Sequence, residues 1–386
     1  MRFNFDEIID RKGTNSIKYE AGKQNPNLPE DAIPLWIADM DFATPDPILE
    51  AMHNRLSRRI LGYSDLYDPA YRKAVTGWYR RRFDWEVDPD TIVAYPGVVA
   101  AINAAVATLT APREGVILMT PCYGPFDRAV RVYGRTPVYT RMLNHDGYYT
   151  VDFQDLEEKA RMPKNTLLFL CSPHNPTGRV FSAMELARIG EICFRNNVFV
   201  VADEIHADLI RGGVEHIPFA KLFPNEKRLL TCTAPTKTFN IAGCHLSNIV
   251  IPDEQVREVM GQGIFTNLPN PLAIDGVIAA YNKCEGWLEE VKNYLDDSFL
   301  YMRDFIMKNM HPARFRIPEG TYLAWVDLQG YGYTDEELKR RLEASGLFVE
   351  YASDFVDNGL GHIRINIACP RRVLEEALAR LAAALD

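Results

Sequence analysis

Four short apolar runs decide most of what this chain can become: Gly115–Thr120 (GVILMT), 166–171 (TLLFLC), 198–202 (VFVVA) and 228–233 (RLLTCT). Each is too short for an ordinary helix and lacks the alternation of a strand with one wet face. Continuous Val/Leu/Ile runs belong to strands buried on both sides, as in a parallel sheet with helices on its two faces. A helical pattern from Ser182 to Asn196 stands between two of them, and a fifth apolar run follows at 246–251. The predicted class is α/β, with a mostly parallel central sheet covered by helices. In open sheets of this kind the chemistry lies beyond the carboxyl ends of the strands. The residues after each run are therefore the first candidates for a site.

Lys237 follows the fourth run, in TAPTKTFNIAG (233–243), surrounded by small residues and hydroxyls. Asp203 ends the third run, in DEIH, and the second leads into SPHNPTG, which contains Asn175. The first leads into PCYGPF, which contains Tyr123. Upstream, 91–95 reads as a strand end, and Pro96-Gly97-Val98-Val99 opens an apolar helix. A glycine at a loop-to-helix junction leaves bare amides to face an anion, with the helix dipole assisting. Nearer the start, two prolines bracket Leu35-Trp-Ile-Ala-Asp-Met-Asp-Phe42, which reads either as a segment pinned against the core with Asp39 and Asp41 facing a cavity or as a buried edge strand with solvated aspartates. Thr44 is placed to cap the helix that begins after it, and 67–83 reads as an amphipathic helix. A long helical pattern spans 286–310. Beyond it the chain changes character, with strands expected at 314–317, 322–327 and 362–367 and helices at 334–345 and 370–384. The expected organisation is a large domain over 46–285, and a smaller α+β domain built from 1–45 and 286–386.

A net charge of −9 argues against nucleic acid as the main partner. No run approaches the ~20 apolar residues of a membrane span. The seven cysteines form no CxxC and no Cys/His metal pattern, and several sit in apolar runs. They read as free thiols of a reducing compartment, and with no signal-peptide core at the N-terminus the expected location is cytoplasmic.

Lysine, carboxylate, aromatic ring and phosphate-facing amides form the set that pyridoxal 5′-phosphate (PLP) requires. Taken in order, PGVVAAI, TPCYGPF, SPHNPTGRV, VADEIHADL, TKTFNIAG, EGTYLAWVDL and IRINIACPR resemble the fold-type I PLP enzymes, the aspartate aminotransferase superfamily. WIADMDFATP and DEIH resemble its cystathionine and cysteine-S-conjugate β-lyase branch. The resemblance implies that Lys237 is the Schiff-base lysine and that Asp203 pairs with the pyridine nitrogen. It implies that Asn175 reaches the 3′ oxygen and contributes to the substrate site, and that Tyr123 stacks on the ring. Gly97, Val98 and Val99 offer phosphate amides, with a hydroxyl from Thr236 or Thr233. Arg364 grips the substrate's α-carboxylate, with Ala38 and Asp39 beside it. Tyr63 reaches the neighbouring subunit's cofactor, so a homodimer is expected.

Three positions depart from the aminotransferase pattern. His206 stands where a tyrosine is usual, His245 where a phosphate-binding arginine is usual, and Ala234 where a serine is usual. His206 either donates to the 3′ oxygen or is simply packed. The reaction implied is β-elimination from L-cystathionine or a related cysteine S-conjugate, giving pyruvate, ammonia and a thiol. The leaving thiolate would take its proton from Lys237 or Tyr123. Transamination of a small amino acid is the alternative on the same residues, and a mainly regulatory binding role is a second.

Overall fold

The structure is a computed structural model that describes residues 3–65, 68–262 and 268–386. Its centre is a seven-stranded sheet. The strand order is Ile92–Tyr95, Ser247–Val250, Leu229–Thr233, Phe199–Asp203, Asn165–Cys171, Gly115–Thr120 and Thr136–Arg141. The last five run parallel. In the four of these that carry the apolar runs, the side chains are buried on both faces, as unbroken Val/Leu/Ile runs require. Ser247–Val250 is antiparallel to both neighbours. The chain from 233 to 247 makes two short helical turns at the sheet end and returns beside the strand it left, with no crossover to reverse it.

Several elements differ from expectation. Thr136–Arg141 is an edge strand whose mixed residues (TPVYTR) hide the apolar signal. The loop expected over 121–126 gives way at Gly124 to the helix Gly124–Val132, with Pro125 in its first turn where no N–H is needed. The cap of the helix Asp46–Ser57 is Pro45, not Thr44, because the Thr44 hydroxyl donates to the Asn240 carbonyl at 3.2 Å. The helix expected over 67–83 is Pro69–Phe83, and its cap Asp68 accepts from the Ala70 N–H. The helix Ala183–Arg195 begins with a reciprocal pair: Ser182 Oγ accepts the Glu185 N–H and Glu185 accepts the Ser182 N–H.

Residues 35–42 form no strand. Instead the segment is pinned by single bonds: Leu35 N–H to the Phe348 carbonyl, Asp41 N–H to the Ala368 carbonyl and Asn366 N–H to the Leu35 carbonyl, each 2.8 Å. Only Ile33–Pro34 pairs as strand, parallel to Leu347–Phe348. That pairing fastens the N-terminal segment to the C-terminal part of the chain. There, a four-stranded antiparallel sheet has the order Arg314–Phe315, Leu323–Asp327, His362–Asn366, Glu350–Tyr351. The helix Glu285–Asn309 buries Leu288, Val291, Leu295, Phe299 and Met302 on one face. Among the described residues no helix is long and apolar enough to cross a membrane.

Candidate active site

The strand Leu229–Thr233 ends at a four-residue helix, Pro235–Thr238, which presents Lys237. Thr238 anchors this helix by donating to Asp208 Oδ2 at 2.9 Å, and Trp78 Nε1 donates to the same carboxylate at 3.2 Å. The Lys237 amine donates to the Ala38 carbonyl at 2.6 Å. Loss of surrounding water, with Arg364 nearby, lowers its pKa to about 8, while Asp39, Glu350 and Asp203 oppose the shift. Near neutral pH an appreciable fraction of this amine is unprotonated, which is what a nucleophile and base requires.

Lys237 lines a cavity of about 730 Å³ at the strand ends, together with Tyr123, Asn175, Asp203, Thr236 and Arg364. Gly97, Val98 and Val99 form another wall. Gly97 has φ of 106°, a left-handed value that favours glycine, and it caps the helix Val98–Leu109. That helix start turns its free N–H groups toward the cavity. Asp203 is buried. Among the described residues, its carboxylate takes one hydrogen bond, from the Ile205 N–H at 3.1 Å. Burial pushes its pKa up to about 7. A carboxylate held this dry lacks a cation, and a pyridinium N–H is a partner of the right charge. His206 is also buried, edge-on to Tyr322, with Nδ1 unpartnered among the described residues. Burial lowers its pKa to about 3, so the ring is neutral and has one N–H to give. Amine, carboxylate, amide cradle, aromatic ring and an unsatisfied imidazole nitrogen together fit PLP.

Arg364 sits in the middle of the strand His362–Asn366, 2% exposed. Its Nη1 donates to Asn175 Oδ1 at 2.8 Å and its Nη2 to the Trp36 carbonyl at 3.0 Å. Asn175 therefore touches both the cofactor region and the arginine. The cavity also includes Ala38, His245 and Tyr123, whose phenol is kept protonated by burial.

Two expected residues, Thr233 and Asp39, lie outside this cavity. Thr233 does not line the cavity. It shares a hydrogen bond with the Tyr79 hydroxyl at 2.5 Å and donates to the Asn248 carbonyl, so of the two threonines only Thr236 faces the site. Asp39 lines an adjoining cavity of about 900 Å³, which Ala38 and Lys237 share, and pairs there with Arg11 at 2.6 Å. Tyr63 lies outside both cavities and is 95% exposed. Ala234 is buried and starts the lysine helix without a side-chain cap.

The support of residues 36–42 is not evident from composition. Lys18, fully buried, donates to Asp41 at 2.7 Å and to the Asp39 carbonyl at 2.9 Å. Arg11 bridges Asp39 and Asp41. Asn240 and Asn366 donate to the Met40, Phe42, Ile37 and Asp39 carbonyls. The sequence signal for this support is a polar residue inside a motif: Asn240 in TKTFNIAG and Asn366 in IRINIA. Replacing Lys18 by methionine leaves Asp41 with Arg11 as its remaining cation. The expected cost is about 2–3 kcal/mol, seen as a lower denaturation midpoint at unchanged m-value. A change under ~0.5 kcal/mol would show that the buried pair does not pin the segment.

Residues 30–381 match the family model for aminotransferase class I and II. The cystathionine beta-lyase PatB of Bacillus subtilis (strain 168) is 38% identical over 388 residues, covering 99% of this chain and all of PatB. The PLP-bound C-S lyase from Staphylococcus hominis superposes with a TM-score of 0.94 at 40% identity, covering 99% of this chain and 98% of that one. Cystalysin from Treponema denticola, which contains pyridoxal 5′-phosphate, superposes at 0.96 with 35% identity, covering 100% and 99% of the two chains. With Lys237, Asp203, Asn175 and Arg364 gathered in one cavity, this chain belongs to the aminotransferase class I and II family and has its fold-type I architecture.

Proposed function

We propose that the chain is a PLP-dependent carbon–sulfur β-lyase acting on L-cystathionine or related cysteine S-conjugates. One observation carries the reading: a partly deprotonated Lys237 amine, the buried Asp203 carboxylate and Arg364 share one cavity. The names borne by the relatives set the branch. PLP, when bound, supplies an electron sink for the charge left at Cα after its proton is removed. Lys237 tethers the cofactor and, once released, takes the Cα proton. Asp203 keeps the ring nitrogen protonated. Asn175 and His206 would hold the 3′ oxygen, the amides of Gly97, Val98 and Val99 with the Thr236 hydroxyl would hold the phosphate, and Tyr123 would cover the ring. Arg364 fixes the α-carboxylate so that Cα faces the lysine. The thiolate leaves from Cβ and takes a proton from Lys237 or Tyr123. With one water consumed, cystathionine gives pyruvate, ammonia and a thiol.

We also infer a homodimer in the cytoplasm, with domains over 46–285 and over 1–45 plus 286–386. Tyr63 follows Ile60 and Leu61, both well exposed, which suits an apolar surface covered by a second copy with Tyr63 reaching its cofactor. The described cysteines are all free and six of the seven are buried, which suits a reducing compartment. The test is to incubate the yellow holoenzyme with L-cystathionine, assay pyruvate and thiol, and weigh the particle by light scattering. Equimolar pyruvate and thiol from a two-chain particle are expected. Absence of both products, or keto-acid-dependent amino transfer alone, would overturn the lyase reading, and a single-chain mass the dimer.

A further inference from the structure

The seat expected for the substrate's α-carboxylate is already filled by a side chain of this protein. Glu350 stands directly opposite Arg364 on the neighbouring antiparallel strand. Facing side chains there have Cβ atoms about 5 Å apart, so the two are held together by register rather than by a chance rotamer. Their ion pair closes on Arg364 Nη2, and both residues line the 730 Å³ cavity.

Counting donors shows what this does. A guanidinium has five N–H groups and two two-pronged edges, Nε with Nη2 and Nη1 with Nη2. Nη2 gives one hydrogen to the Trp36 carbonyl and is covered by the carboxylate of Glu350 in an ion pair. Nη1 gives one to Asn175. Nε is buried and unpartnered among the described residues. Both edges need Nη2, and Glu350 stands over it. No carboxylate can grip Arg364 with two prongs until one of these partners leaves. Trp36 offers a backbone carbonyl in a pinned segment, whereas Glu350 is a side chain that is 20% exposed and can leave by a rotamer change without moving the strand.

We propose that Glu350 is a stand-in carboxylate that occupies the α-carboxylate seat on Arg364 and is displaced by the substrate. The proposal rests on the reading of Arg364 as the substrate's anchor. Glu350 neutralises a buried arginine while the seat is empty. It also sets a threshold: a ligand must bring a carboxylate able to outcompete it, so amides and esters of the same amino acids are rejected. Burial raises the pKa of Glu350, which eases its departure.

The test uses the full-length holoenzyme with Glu350→Gln and Glu350→Ala. Calorimetric titration with 3-(methylthio)propanoate, which has the carboxylate and thioether but no amine to react, is expected to give a Kd about tenfold tighter in both variants. The corresponding amide should bind with unchanged Kd, and the KM for L-cystathionine should fall with that of the acid. A Kd for the acid that is unchanged or weaker in both variants would overturn the proposal and leave Glu350 as a residue that only orients Arg364. Failure of the lyase reading shows separately, as a wild-type enzyme that makes no pyruvate while the titrations behave as stated.

Discussion

Lys237→Ala is expected to lower pyruvate release from L-cystathionine by at least about 10³-fold, because one side chain serves both as the cofactor's tether and as the base at Cα. The loss should fall on kcat, since Arg364 and the amides of Gly97, Val98 and Val99 still bind their groups. A second readout does not depend on turnover. Borohydride treatment of the wild type should add the reduced cofactor's mass to the peptide containing Lys237, and treatment of the variant should add nothing. Lys237→Arg separates charge from chemistry: it keeps a cation beside Asp39, Glu350 and Asp203 but has no amine to condense or to titrate near pH 8. If either variant kept more than a tenth of the activity, the base would have to be sought elsewhere in the cavity.

The strand ends were legible in the sequence because burial on both faces writes itself as unbroken apolar runs, and the polar residue after each run stands out. That logic located Lys237, Asp203, Asn175 and Tyr123 and placed them in one cavity. It failed where the governing interaction is between distant side chains. Thr233 and Thr236 look equivalent on paper, yet the partners Tyr79 and Asn248 take the first away from the site. Asp39 shows no partner on paper, yet in the fold it pairs with Arg11. The strand Thr136–Arg141 carries mixed residues because it lies at the sheet's edge, and Glu350 sits in a two-residue strand whose meaning comes only from its register with Arg364.

One consequence of the fold joins these parts. The segment 36–42 supplies the Trp36 carbonyl to Arg364 and the Ala38 carbonyl to Lys237. Lysine and arginine come from opposite ends of the architecture, one from the large sheet and one from the small. A single stretch of backbone therefore sets the spacing between the base and the carboxylate anchor, with Lys18, Arg11, Asn240 and Asn366 fixing that stretch. Positioning errors of about 1 Å here are costly for catalysis, which gives the buried charges a role beyond stability.

Asp203→Asn should move stability and activity in opposite directions. In the cofactor-free protein, burial raises the folded-state pKa of Asp203 to about 7, above its value in the unfolded chain. Such a group binds more protons folded than unfolded across the interval between the two values, so stability falls as pH rises through it and then levels off. Asparagine removes the titration. The cofactor-free variant should therefore be more stable than the wild type, by a margin that grows from about pH 4 to about pH 7 and reaches the order of a few kcal/mol, read from denaturant midpoints across pH. With cofactor bound the sign changes for function. Asparagine cannot hold a proton on the ring nitrogen by charge, and pyruvate release should drop by about 10²–10³-fold. A variant that is destabilised at pH 8 without cofactor would mean that Asp203 finds its compensation within the protein. Its placement would then be structural, and the site would need a different account of how a buried carboxylate is tolerated there.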